Sequence, residues 1–139
     1  MHRVLFKVAA LLATLSVMLG AFGAHLFKRH LSAEDLSSFN TAVTYQMTHA
    51  IGIFIAGILF KHYLNQRLIW AGYFFTAGVL LFSGSIYSRL LFNFLQLGYG
   101  NKIIMLAPLG GVLFMLGWLL IFIAVPSKRH VVYKHREKD

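Results

Sequence analysis

Four stretches of the chain carry no Lys, Arg, Asp or Glu: residues 8–27, 36–60, 68–88 and 103–127. Their lengths are 20, 25, 21 and 25 residues, and a helix needs about 20 to cross the roughly 30 Å hydrocarbon core of a bilayer. Lipid offers no hydrogen-bond partner to an exposed amide, so each run is predicted to be an α-helix. A transmembrane barrel would instead alternate polar and apolar residues over shorter segments. Composition agrees: the 139 residues are 58% hydrophobic and 12% charged, about half the charge of an ordinary soluble domain. A water-soluble domain this small could not hide so much apolar surface. The expectation is an all-α polytopic membrane protein in one domain, an antiparallel four-helix bundle. Its spans are placed at about 5–27, 38–60, 68–90 and 103–125, with a basic tail at 126–139.

Orientation follows from the basic residues. Arg3, Lys7, Lys61, Arg67, Lys128, Arg129, Lys134, Arg136 and Lys138 fall on one side, nine in all; Lys28, Arg29, Arg89 and Lys102 fall on the other. Positive charge accumulates on the cytoplasmic side, so both termini and the central loop are predicted to be cytoplasmic, in a cell inner (plasma) membrane. Tyr63, Trp70 and Tyr73 would then lie at the inner interface and Tyr99 at the outer one. The net charge of +9 sits at the ends of apolar runs, where it serves topology and anionic headgroups. No RNA-binding aromatic motif accompanies it, so no nucleic acid partner is expected. The expected partners are the bilayer itself and, because four helices bury little alone, a second copy or a larger membrane complex. A competing reading takes His2, Arg3 and Lys7, the following apolar core and Ala21-Phe22-Gly23 as a cleavable signal peptide. The apolar run continues through Leu26 and Phe27, which favours a retained span.

The connections are short, which implies antiparallel neighbours. Ser32-Ala33-Glu34-Asp35 resembles a capping box opening the second helix. Leu36, Phe39 and Val43 follow it, so this helix is predicted to start on the outer surface. Gly98-Tyr99-Gly100-Asn101 reads as a turn. No internal repeat relates the two halves.

Absences narrow the chemistry. There is no cysteine, hence no disulfide, thiolate metal site or cysteine nucleophile. All four acidic residues, Glu34, Asp35, Glu137 and Asp139, lie outside the charge-free runs. Ion-coupled carriers commonly hold a carboxylate at mid-membrane, and this chain offers none there. The polar candidates are His25 near the end of the first span, Thr41, Tyr45, Gln46 and His49 in the second, and Ser83, Ser85 and Tyr87 in the third. Small or kinking residues accompany them: Gly20, Gly23, Ala24, Gly84, Pro108, Gly110, Gly111 and Gly117. At about 1.5 Å per residue all of these clusters fall in the outer half of the bundle. Thr41, Tyr45 and His49 share one helix face at i, i+4, i+8, with Gln46 beside them. That face is expected to point inward, because lipid cannot satisfy its hydrogen bonds. It would serve either as interhelical ties, to Ser83 or Ser85, or as a small binding or proton-handling pocket.

His25 and His49 raise a metal or haem alternative. They differ in depth by roughly 10 Å and no dense ligand motif is present, so neither a metal nor a cofactor is expected. Gly20 and Ala24, like Gly52 and Ala56, form small-xxx-small pairs that allow close helix approach. Pro108 is expected to kink the fourth helix, with Gly110 and Gly111 adding flexibility. Arg89 is expected to snorkel to the outer headgroups.

Taken together, Gly20-Ala21-Phe22-Gly23-Ala24-His25, Thr41-Ala42-Val43-Thr44-Tyr45-Gln46 with His49, Leu81-Phe82-Ser83-Gly84-Ser85-Ile86-Tyr87, and Ala107-Pro108-Leu109-Gly110-Gly111 with Gly117-Trp118 resemble the motifs of the YgdD/YwdK family of small membrane proteins. The likeness covers nearly the whole chain in order. One departure is Ala107, where the family pattern usually has threonine. The resemblance implies four helices in an inner membrane and a retained first helix. It supplies no reaction, since the family carries no established activity. The leading expectation is therefore a non-enzymatic structural or interaction component of the membrane. The alternatives are a passive channel or carrier using the outer-half pocket, and a histidine-bound cofactor protein.

Overall fold

Serine 32 decides where the second span begins. Its backbone is extended (φ −61°, ψ 161°), its Oγ accepts from the Asp35 amide at 3.1 Å and donates to Asp35 Oδ2 at 3.0 Å. That satisfies one of the free amides every helix start presents. The protein is described by a computed structural model that covers residues 2–25, 27, 30–96 and 100–125. Its elements are α1 (His2–His25), α2 (Ala33–Tyr63), α3 (Gln66–Phe94), the single turn α4 (Gly100–Ile103), a 3₁₀ turn at Ile104–Leu106, and α5 (Ala107–Ala124). Four segments are long and apolar enough to cross a membrane: Arg3–Gly23, Ala33–Tyr63, Gln66–Phe94 and Ile104–Ala124. The protein is an all-α, four-helix membrane protein.

The helices run past the charge-free stretches. Lys61, Arg67 and Arg89 all lie within helices, since long basic side chains are good helix formers that keep their charge in the headgroup region. Between α2 and α3 only Leu64 and Asn65 intervene. Leu64 takes the left-handed conformation (φ 50°) and closes α2 through its amide to Phe60. Asn65 caps α3 by accepting from the Arg67 amide, and its Nδ2 donates to the Ala124 carbonyl at 3.1 Å. One side chain thus pins the α2–α3 turn to the end of α5. Tyr63, Trp70 and Tyr73 are exposed at this end, as an interfacial aromatic belt requires. The predicted turn at residues 98–101 is helical from Gly100 onward. Gly98 and Tyr99 lie outside the described residues, as do Lys28, Arg29 and the tail at 126–139.

Neighbours are antiparallel. Along α1 and α2, Phe6 meets Gly57 and Gly20 meets Val43. Along α2 and α3, Asp35 meets Arg89 and Gly52 meets Phe75. Along α3 and α5, Gly78 meets Phe114 and Phe75 meets Gly117. Each helix packs mainly on the next in sequence; α2 and α3 form the central pair, α1 lies on α2 and α5 on α3. The core has two parts. The larger gathers Leu5, Ala9, Ile53, Ala56, Phe75, Val79 and Phe114; the smaller, at the end where α2 begins, holds Phe39, Ala42, Ile86 and Leu90.

Glycines bring these helices together. Phe75 is fully buried between Gly52 of α2 and Gly117 of α5, where an added Cβ would stand 3.0 Å and 2.5 Å from its ring. Gly110 lies directly on α3: a Cβ there would be 2.5 Å from the Phe82 amide nitrogen and 2.9 Å from the Gly78 carbonyl. Pro108 stands in the first turn of α5, directly after the 3₁₀ turn at Ile104–Leu106, so the helical run from Gly100 changes its winding where the proline amide hydrogen is missing. Gly111 faces open space, and a Cβ on Gly84 would meet only the Val79 carbonyl, at 4.0 Å, so neither serves close packing between helices.

Candidate functional site

One turn of α2 is tied to both of its neighbours. Ser83 Oγ of α3 donates to the Ala42 carbonyl at 2.8 Å, and Ser16 Oγ of α1 donates to the Val43 carbonyl at 2.8 Å. One turn further, Gln46 Nε2 donates to the Leu12 carbonyl of α1 at 2.8 Å, while its Oε1 accepts from the Tyr87 hydroxyl of α3 at 3.1 Å. Ser16, Gln46 and Ser83 are all buried. A helix carbonyl can accept a second hydrogen bond through its spare lone pair, so the hydroxyls tie helices together without unwinding them.

His49 occupies a different setting. It is buried in α2, its ring stacked on Phe114 at 3.5 Å and 9° and flanked by Phe75 and Trp118. Nδ1 lies 2.7 Å from the Tyr45 carbonyl. A carbonyl can only accept, so Nδ1 carries the hydrogen and Nε2 keeps the lone pair in the neutral ring. The Tyr45 ring stacks on Phe82 at 4.7 Å.

The inward orientation expected for Thr41, Tyr45 and His49 holds only for His49. Thr41 and Tyr45 are exposed. The reason is local: Thr41 Oγ1 donates to the Ser37 carbonyl of its own helix at 3.0 Å, so its hydroxyl needs no partner across the bundle. Ser85 behaves alike, donating to the Phe82 carbonyl at 2.9 Å, though it is buried. His25 is exposed at the end of α1, and among the described residues no hydrogen bond joins it to the other candidates. Arg89, expected to snorkel to the headgroups, is ion-paired at the end of its helix. Its Nη2 lies 2.6 Å from Asp35 Oδ1, because α2 starts early enough to present a carboxylate at the end of α3. Among the small residues, Gly20 is in ordinary contact with Val43, and Gly23 sits tightly against Phe39.

The structure therefore brings together Gln46 with Tyr87, joins Ser83 to α2, and packs Tyr45 and His49 around Phe82 and Phe114. Thr41, Ser85 and His25 stay apart from them. Sequence reasoning missed Ser16. Its signal was present: Ser16, Gly20 and Ala24 continue one small-residue register along α1. Among the described residues, no group of three His, Asp or Glu side chains is placed to hold a metal ion. An apolar cavity of about 350 Å³ lies at the end of the bundle where α2 begins, lined by Leu19, Phe27, Phe39, Leu90 and Phe94, with Tyr87 and His30 among its walls.

Replacing Gln46 by leucine is expected to destabilise the bundle by about 1–2 kcal/mol, from two interhelical bonds and a Tyr87 hydroxyl left without its partner. Adding Tyr87→Phe should recover part of the loss in thermal unfolding of the detergent-purified protein. No recovery would mean that the Gln46–Tyr87 bond contributes nothing.

The sequence matches the family model described as a protein of unknown function (DUF423) over residues 19–111, which includes the Ser83–Ala42 and Gln46–Tyr87 ties but not Ser16 or Leu12. The chain is similar to the UPF0382 membrane protein SAB0533 of Staphylococcus aureus, 38% identical over 84% of this chain and 90% of that one. It is 35% identical to the UPF0382 membrane protein YwdK of Bacillus subtilis, over 88% of this chain and 95% of that one. It is 30% identical to the UPF0382 inner membrane protein YgdD of Escherichia coli, over 91% and 93%. No solved structure matches. With the spans, the interhelical ties and these relatives in agreement, the chain belongs to the UPF0382 (DUF423) family of membrane proteins, a family of unknown function.

Proposed function

We propose that the protein is a non-enzymatic structural component of the inner membrane, a small bundle that acts by packing with other membrane polypeptides. Both termini face the cytoplasm, by the nine-to-four distribution of basic residues. The observation that supports this reading is the use made of the polar groups inside the spans. Ser16, Gln46, Ser83 and Tyr87 are bonded across helices. Thr14, Thr41, Thr48, Thr76 and Ser85 are bonded to their own helices. A reaction centre needs convergent polar groups aimed at a shared space, whereas the first four of these tie helices together and the other five close on their own helix.

The test is reconstitution. Purified protein in liposomes is expected to hold preset proton, potassium and small-solute gradients as well as protein-free vesicles do. A leak that His49→Ala or Tyr45→Phe abolishes would overturn the reading in favour of a carrier. A C-terminal reporter that fluoresces only in the cytoplasm is expected to be bright, and a dark reporter would reverse the orientation.

A further inference from the structure

The outward face of α2 changes character halfway across the membrane. Towards the cytoplasmic end it exposes Ile51, Ile55 and Ile58. One turn higher, the same face exposes Ser37, Asn40, Thr41, Thr44 and Thr48. The stripe follows steps of three and four residues and so runs straight along the helix. Asp35 and Lys61 bracket this span and are 26 residues apart. At 1.5 Å per residue that is about 39 Å against a core of about 30 Å, so a centred α2 puts Asn40 about 3 Å inside the outer boundary and Thr48 near the middle.

The other spans do not do this. Contacts across the bundle place Val17 of α1, Leu80 of α3 and Val112 of α5 at about the depth of Thr44, and all three are exposed and apolar. Thr14 of α1 is exposed near this depth as well, but it stands alone with its hydroxyl bonded to its own helix, whereas α2 carries a continuous polar stripe. Thr41 and Thr48 satisfy their hydroxyls on their own helix. Among the described residues, the Asn40 amide and the hydroxyls of Ser37, Thr44 and Tyr45 make no hydrogen bond. The stripe is a shallow, open surface of α2 alone, with Asn40, Thr44 and Tyr45 along it. An amide left unpaired in hydrocarbon is costly.

We propose that the polar outer half of α2 is a homodimer interface, occupied by the same stripe of a second copy. The chemistry is complementary to itself: an asparagine amide and a threonine hydroxyl each donate and accept, so identical groups can pair reciprocally. A two-fold axis along the membrane normal sets two α2 helices parallel, with the same residues at the same depth. The small Ser and Thr side chains allow the backbones to approach. This deepens the reading of the chain as an interaction component and rests on it.

The chain has no cysteine, so single cysteines report without background. Oxidative cross-linking in native membranes is expected to give covalent dimers from Thr44→Cys and Thr48→Cys, and at least fivefold less from Val17→Cys and Leu80→Cys. Adding Asn40→Leu to Thr44→Cys should lower the dimer yield by about tenfold. Equal cross-linking at all four sites would overturn the proposal. An adduct of Thr44→Cys with a different polypeptide, in place of the dimer, would also overturn it, while leaving the broader reading as an interaction component standing.

Discussion

Gly110→Leu is expected to abolish the folded bundle, with no monodisperse peak on size exclusion in mild detergent. The atoms that a side chain would meet there belong to backbone: the Phe82 amide nitrogen at 2.5 Å and the Gly78 carbonyl at 2.9 Å. Backbone cannot rotate out of the way, so α5 must move off α3. Phe114 then leaves the space above Gly78, where an added Cβ would stand 2.6 Å from its ring. Inside a bilayer no hydrophobic force restores the contact, because acyl chains are as apolar as the side chains. The smaller Gly110→Ala should keep the fold and lose stability by about 1–3 kcal/mol, the usual range for overpacking. Gly111→Ala is the control on the same helix at the same depth. With nothing within 4 Å of the new methyl, it should be neutral or gain from the better helix propensity of alanine. Unfolding temperatures of the three variants decide the matter, and a Gly110→Leu protein that melts with the parent would refute the close approach.

The second large effect is Phe75→Ala. This ring fills the space left by Gly52 on one side and Gly117 on the other, and touches His49 and Trp118 at ring distances of 5.4 and 5.0 Å. Its removal empties the meeting point of α2, α3 and α5. Losses for a buried phenylalanine are about 3–5 kcal/mol in soluble cores. In lipid the transfer part of that figure falls away, but the lost dispersion contacts remain. Phe122→Ala, at a ring 79% exposed on α5, should leave the melting temperature nearly unchanged. Similar shifts for the two variants would show that Phe75 is no keystone.

How far these features are legible in the sequence depends on the type of group. The four spans follow from the charge-free runs, because lipid penalises charge strongly. The start of α2 follows from Ser32 and Asp35, because capping is chemistry between near neighbours. The facing of α2 does not follow. Thr41, Tyr45 and His49 share a face by spacing, yet only His49 turns inward. A threonine hydroxyl folds back on its own helix, so its polarity says little about direction. Gln46 carries two donors and an acceptor on a longer arm, and its amide reaches neighbouring helices on both sides. An asparagine or glutamine is thus the better guide to orientation. Pro108 marks an irregularity in the last span, but its form, a 3₁₀ turn at Ile104–Leu106, depends on packing that spacing alone does not specify. The Asp35–Arg89 pair was hidden because both residues flank charge-free runs, at 36–60 and 68–88, and a run's end does not say which group lies across from it.

The nearest-neighbour order of the helices has a consequence for how the protein is made. α1 finds its main surface on α2, α2 on α3, and α3 on α5. Each span therefore meets its partner as soon as the next one leaves the ribosome, and none must wait for a distant segment. Contacts of this kind close short loops and carry a small entropic cost. The glycine seat for Phe6 on α2 can fill first, that for Leu5 on α3 next, and that for Phe75 once α5 arrives, so insertion and assembly proceed in the same direction.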